Sequence, residues 1–309
     1  MVGRICALAV AVFVLLGMTT GCGIMAPRPD AALAGMKAVP GVDDATGYGM
    51  NHADGSARYV FSGRLADDPS ADTIAGVVAA YYDGLTSLNT QDSELNLSWQ
   101  QGSSNRTLWV TTTDDLKRMP DEKQLRGMAT WPTGLDLSAS ANDGRFTISL
   151  ASGDATFRSD LAGMVVAGLM ADDFEAYSTR YSVWWNDDPP LELFDRAAAA
   201  ASAATRVSIG STAPDPSKDT DGWVQVTWFD KSATPASDAA ASVLGQMHAV
   251  TDIWAGVAKP LELSLMFGGT SQVELNNTRC PSGSAPRNAE FWTDATRVGH
   301  RVVRAPSSC

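Results

Sequence analysis

An α+β fold is predicted, made of three tandem ββαββ-type units, each an antiparallel sheet with one helix packed on a face. Three observations predict it. The dipeptide Asp-Gly recurs at Asp54-Gly55, Asp143-Gly144 and Asp221-Gly222, 89 and 78 residues apart, and Asp-Gly suits a hairpin turn. The second, fourth and sixth residues after each glycine share a phase: Ala57/Tyr59/Phe61, Phe146/Ile148/Leu150 and Val224/Val226/Trp228. A slip of one residue would turn every one of these side chains to the other face, so agreement in three copies carries more weight than the dipeptides. Behind each alternating run comes an amphipathic stretch, plainest from Ser237 to Val257. The competing organisation is a single larger α+β sheet in which the Asp-Gly turns coincide by chance.

Residues 1–21 read as a targeting segment. Arg4 supplies a charged start, Ile5 to Leu16 is an unbroken apolar run of twelve, and small residues close it at Gly17 to Gly21. Twelve apolar residues fall short of the roughly 20 that a membrane-spanning helix needs. Cys22 directly after small residues at the end of such a run resembles the lipobox of bacterial lipoproteins, carried here by residues 16–22. The resemblance implies that the signal is cut before Cys22 and that its thiol takes a diacylglycerol. Palmitate-type acyl chains would then hold the protein on the extracytoplasmic face of the cell membrane. The alternative is an ordinary secretory signal cleaved at Ala32-Leu33-Ala34.

Residues 22–40, with Pro27, Pro29 and Pro40 and no apolar period, read as a tether. The first unit, 41–113, opens with a strand over Ala45 to Met50 and a second over Ala57 to Leu65. Asp68-Pro69-Ser70 then starts a helix whose Ile74, Val77, Val78, Tyr81, Leu85 and Leu88 recur at steps of three and four. Leu95, Leu97 and Trp99 alternate in a third strand, and Thr107 to Thr111 forms a fourth after a Gly-Ser-Ser-Asn turn. Residues 114–133 carry charge of both signs around Pro120 and read as a solvated linker or short helix.

The second unit, 134–195, repeats the order less clearly. Strands are predicted at Leu135 to Ala139 and Phe146 to Leu150, then a helix carrying Leu161, Met164, Val165 and Leu169. Tyr181, Val183 and Trp185 mark a further strand, and Leu191 to Phe194 a closing one after Pro189-Pro190. Residues 196–205, almost all alanine, read as a linker or short helix. The third unit, 206–277, has strands at Trp223 to Phe229, Leu261 to Phe267 and Gln272 to Leu275 around its long helix. The tail, 278–309, holds Cys280, Cys309 and a basic cluster of Arg297, His300, Arg301 and Arg304.

Composition narrows the function classes. Acidic residues outnumber basic ones, 35 to 23, for a formal net charge of −12. No basic stripe offsets that charge, which argues against nucleic acid as a partner. Three histidines leave little for metal or triad chemistry, and no H-E-x-x-H, G-x-S-x-G, S-x-x-K or phosphate-loop motif occurs. Gly47-Tyr48-Gly49 begins like a dinucleotide loop but lacks its third glycine. Asp215, Asp219 and Asp221 resemble a calcium loop only until Trp228 falls where its bidentate acid belongs. No catalytic residue, metal ligand or cofactor site is therefore assigned.

Tryptophan is the enriched residue, nine in all. Trp109, Trp184 and Trp223 each neighbour a core-phase residue in a predicted strand, which places them on a sheet's second face. There they either pack between units or form a ligand face. The predicted function is a non-enzymatic envelope lipoprotein, held to the membrane through Cys22, that binds or scaffolds an envelope protein or polysaccharide. The alternatives are an envelope hydrolase whose site is assembled between units from residues such as His248 and Asp252, and a solute-binding lipoprotein.

Outside the cytoplasm Cys280 and Cys309 are the pair left to oxidise together, the alternative being two free thiols. A bridge closing that loop would stabilise by roughly 3–4 kcal/mol in the chain-entropy model. Non-reducing peptide mapping of exported protein should recover one cross-linked peptide holding both cysteines. Recovery of both as free thiols would remove the bridge.

Overall fold

The computed structural model describes residues 29–51, 57–86, 88, 92–113, 119–142, 144–187, 189–200, 206–210, 222–228, 261–267 and 271–276. The described chain is mixed α/β and divides into two compact units. The first comprises residues up to 131 together with 139–146, and the second 132–138 together with those from 147 onward.

In the first unit α1 (Asp30–Ala38) precedes β1 (Val42–Asn51) and β2 (Ala57–Leu65), α2 (Ala71–Thr86), β3 (Asp92–Gln101) and β4 (Ser104–Thr112). The strands lie side by side in chain order. β1 pairs antiparallel with β2 and β3 with β4, whereas β2 and β3 run parallel, with Phe61 beside Leu95 and Gly63 beside Leu97. This corrects the expected antiparallel sheet. A helix of 16 residues carries the chain back about 24 Å, so the strand after it starts at the same end as the strand before it and runs the same way.

Strand phase is as the alternation predicts. Tyr59, Phe61, Leu65, Leu95, Leu97, Leu108 and Val110 are buried, and the residues between them face outward or stand half-buried. α2 covers the apolar face with Ile74, Val77, Val78, Tyr81 and Leu85, all fully buried. Each such side chain withdrawn from water contributes about 1.5–3 kcal/mol. Ser70 caps the helix: its Oγ accepts from the Thr73 amide at 3.1 Å, and the Thr73 hydroxyl donates to the Pro40 carbonyl at 3.0 Å, which fixes the entry into β1.

Part of the expected tether is helical. α1 buries Ala32 and Met36 and crosses α2 through small residues, Gly35 lying against Ala80 and Ala32 against Gly84. An Ala/Gly-rich stretch has little hydrophobic signal, yet its missing side chains let two helix backbones approach. The following stretch contains α3 (Glu122–Gly127), capped by the Asp121 carboxylate on the Lys123 amide at 2.8 Å. It is not merely solvated, because Leu125, Met128 and Trp131 are buried.

β5 (Asp136–Asn142) and β6 (Arg145–Ala151) fall where the alternation places strands. The second unit continues with α4 (Phe157–Val166), β7 (Asp173–Tyr177), β8 (Tyr181–Trp185), α5 (Leu191–Ala200), β9 (Arg206–Gly210), β10 (Gly222–Trp228), β11 (Leu261–Phe267) and β12 (Ser271–Asn276). From β6 to β12 the strands again follow chain order. The pairs β6/β7, β8/β9 and β10/β11 are parallel, and β7/β8, β9/β10 and β11/β12 antiparallel. Here too the antiparallel expectation is corrected.

Two further corrections concern connections. The predicted closing strand at Leu191 to Phe194 is the first turn of α5, which runs on to Ala200 in the segment expected as a linker or short helix. Pro189-Pro190 sets the helical start, and Phe194 and Ala197, three apart, form its buried side. A four-residue apolar run reads equally as strand or helix. α5 returns the chain so that β9 lies parallel on β8. β7 is an additional strand, in which Phe174 stacks on Trp185 of β8 at 5.3 Å and 10°. α4, β8 and α5 meet in an aromatic triangle of Phe157, Tyr181 and Phe194 with centroids 5.2–5.4 Å apart. The third predicted helix, Ser237 to Val257, lies outside the described residues.

The α1–α2 crossing yields a prediction. A Cβ on Gly84 would stand 2.5 Å from the Ala32 Cα, backbone that cannot rotate away, while one on Gly76 would stand 3.3 Å from the Val39 side chain. Gly76→Ala should be neutral or stabilise by up to about 1 kcal/mol through helix propensity, whereas Gly84→Ala should destabilise by about 1–3 kcal/mol. Thermal melts of the two variants check the order, and a Gly84→Ala protein that melts above wild type would contradict the crossing.

Candidate functional site

The sequence-predicted site residues fall into three groups. Cys22, Cys280 and Cys309 lie outside the described residues, as do His52, His248, Asp252, Asp215, Asp219 and Asp221. Trp184 and Trp223 belong to the second unit and Trp109 to the first.

In the second unit the register carries Trp184 of β8 alongside Gly210 of β9, and Gly210 opposite Trp223 of β10. The two tryptophan positions therefore share one face and one row, with a glycine between them. That row extends to Glu175 on one side and Glu262 on the other. Two residues away on the same face Ser182 and Ser208 are buried, and the Ser182 hydroxyl donates to the Ser208 hydroxyl at 2.8 Å. Val207 and Ile209, on the opposite face, are buried as well, so β9 is closed on both sides. Trp184 is half-buried.

The first unit differs. α1 and α2 occupy its apolar face, and the other face of the sheet is exposed or half-buried. One row crosses all four strands through Thr46, Ser62, Asn96 and Trp109, and the next through Tyr48, Val60, Glu94 and Thr111. Trp109 is 49% and Tyr48 56% exposed. The charges here are matched across strands. Arg58 holds Glu94 in an ion pair, and Arg64 stands opposite Asp44. Gly47 and Gly49, met in sequence as a broken dinucleotide loop, lie inside β1. Gly47 is small because Phe61 and Leu33 close on it, within 2.9 and 3.3 Å of where a Cβ would stand.

Tyr81, Ser93 and Thr112 form a hydroxyl chain between α2, β3 and β4, with Tyr81 Oη 2.7 Å from Ser93 Oγ and Ser93 Oγ 2.5 Å from Thr112 Oγ1. Burial pushes the Tyr81 phenol up to about 12, so it stays protonated and offers no base to either neighbouring hydroxyl. Arg106 is fully buried; its Nε donates to Gln101 Oε1 at 3.2 Å and its guanidinium lies 5.9 Å over the Trp131 ring, while Gln101 donates to the Ala129 carbonyl at 2.8 Å. This cluster ties β3, β4 and the residues after α3 together. Arg106 lies just before the predicted strand Thr107 to Thr111, and its partnership with Trp131 had no sequence signal.

At Asp154 the carboxyl is held below its usual range by a hydrogen bond from the Ser178 side chain and by the Arg180 amide. The bond from that amide is 2.9 Å long and pins the loop before β8. Arg158 grips Asp195 with two bonds of 2.6 and 2.9 Å, joining α4 to α5 at the surface. Among the described residues no group of three or more His, Cys, Asp or Glu is placed to hold a metal ion. No helix among them is long and apolar enough to cross a membrane. Among the described residues, the first unit's sheet face opposite α1 and α2 carries the exposed aromatic residues Trp109 and Tyr48. No family model, curated protein or solved structure matches the chain.

The buried hydroxyl chain predicts an alkaline transition. A phenol whose folded pKa is about 12 against about 10 unfolded keeps its proton in the native state while the unfolded chain loses it. Its contribution is full below pH 10 and fades as pH rises towards 12, on the order of 2 kcal/mol. Tyr81→Phe should cost about 1 kcal/mol at pH 7 and flatten the stability loss between pH 10 and 12. Denaturant melts at stepped pH check it, and an unchanged alkaline slope in Tyr81→Phe would contradict it.

Proposed function

We propose that the protein is an exported cell-envelope lipoprotein, anchored to the membrane through a lipid on Cys22, that binds or scaffolds an envelope partner without catalysis. The observation that carries this reading is the order of Arg4, the apolar run Ile5 to Leu16, the small residues Gly17 to Gly21 and then Cys22. A charged start, an apolar segment too short to span a bilayer and a cysteine at the cut site are what an exported, acylated chain requires. The described chain is read as three tandem ββαββ repeats. What supports this is the recurrence of an antiparallel pair, a parallel pair and another antiparallel pair along β1–β4 and again along β9–β12. A repeat architecture suits a scaffold, because stacked units extend one surface along the chain.

Binding fits the first unit's open face, where exposed Trp109 and Tyr48 stand among hydroxyl and amide side chains and the Glu94 carboxylate is held by Arg58. A hydrolase would need His248 and Asp252, which lie outside the described residues, to converge with other acids.

Cys22→Ser tests the anchor. The wild-type chain should partition with membranes and incorporate a fatty-acid label, and the variant should lose the label and leave the membrane fraction. Label retained on the variant, or unchanged partitioning, would refute lipidation at Cys22.

A further inference from the structure

The helix-free face of the first unit carries a ligand class, and this deepens the binding reading just given. Tyr48 on β1 and Trp109 on β4 stand three strands apart on the open face and two residues apart in register. With strands about 4.8 Å apart and a rise of about 3.3 Å per residue, their Cα atoms lie about 16 Å from each other. Both rings are about half exposed, although burial of either would contribute to stability like that of any aromatic side chain. Between them the surface is Thr46, Ser62, Val60, Asn96 and Thr111, and Glu94, the one charge in the two rows, is ion-paired with Arg58 of the next row.

We propose that this face binds an uncharged polysaccharide, laid across the four strands, with Trp109 and Tyr48 as stacking platforms for two of its sugar rings. Three properties select that class. The apolar face of a sugar ring matches an exposed aromatic ring, and two such rings on one open face, with polar ground between them, suit a chain rather than a single small molecule. Hydroxyl and amide side chains both donate and accept, which is what a hydroxyl-rich ligand needs at each position. A face on which Asp92 stands beside the Arg58–Glu94 pair, on a chain of net charge −12, has no surplus cation to attract an anionic polymer and leaves a neutral one unopposed. A protein partner would call for a contiguous apolar core in the patch, which the alternating polar rows interrupt.

The test is co-sedimentation of the full detergent-purified chain with insoluble neutral glycans, namely cellulose, curdlan and galactan, against immobilised polygalacturonate as the anionic comparison. Wild type should be retained by at least one neutral glycan and less by polygalacturonate. Trp109→Ala and Tyr48→Ala should each weaken retention at least roughly fivefold, a loss typical of one aromatic contact, the double variant should abolish it, and Tyr48→Phe should keep it. Both sites are solvent-facing, so circular dichroism should read these variants as folded. Retention by none of the neutral glycans, equal retention of the double variant, or tighter binding to polygalacturonate would overturn the assignment. Cys22-dependent membrane partitioning is read on the same preparations, so that loss of glycan binding with an intact anchor overturns the ligand class alone, and loss of the anchor with intact glycan binding overturns the address alone.

Discussion

The connection from β2 to β3 is the constraint on which the first unit depends. A sheet strand has two faces, and an apolar one must be covered. α2 does this for β1–β4 by burying Ile74, Val77, Val78, Tyr81 and Leu85 on Phe61, Leu95 and their neighbours, and α1 extends the cover through the Gly84 crossing. Because the same helix carries the chain back to the starting end, it also dictates that β2 and β3 are parallel. Once the helices lie on one side, everything of opposite phase is left on the other. The polar rows of the open face are thus the counterpart of the core: the register that buries Leu108 and Val110 turns Trp109 outward.

The tryptophans show how far one residue type is governed by place. Trp99, Trp131 and Trp185 are 3–4% exposed and belong to the packed interior, Trp185 stacking on Phe174 and Trp131 lying under Arg106. Trp184, one residue from Trp185, faces the other way beside Gly210 in a row whose neighbours Ser182 and Ser208 are buried. Trp109 has an open face in front of it. Enrichment in tryptophan is therefore not itself a signal of binding; the neighbours in register decide.

Strand identity and phase were legible because alternation is a local property, as Tyr59/Phe61 and Ile148/Leu150 illustrate. Strand direction was not, since a half-buried strand alternates in the same way whether its neighbour runs with it or against it; the helix between β2 and β3 was the available clue. α5 was misread because Leu191 to Phe194 is too short to display a period, and its helical side emerges only with Ala197. α1 was missed for the opposite reason: contacts made by absent side chains, as at Gly35 and Gly84, leave no apolar pattern. Of the binding face, Trp109 was legible from its phase. Tyr48 was not, because it sat in a glycine-flanked stretch whose partner strands are set only by the fold.

The division into a helix-covered and a bare face is tested most directly by a cysteine-accessibility scan along β4. Single cysteines at Asn105, Thr107, Leu108, Val110 and Thr111 would be exposed to a hydrophilic maleimide in native protein and read by peptide mass mapping at each introduced site. Positions 105, 107 and 111 should react in the folded state, and 108 and 110 only after unfolding. Uniform reactivity, or reactivity in the reverse phase, would contradict the placement of Trp109 on an open face and with it the account of how this chain meets its ligand.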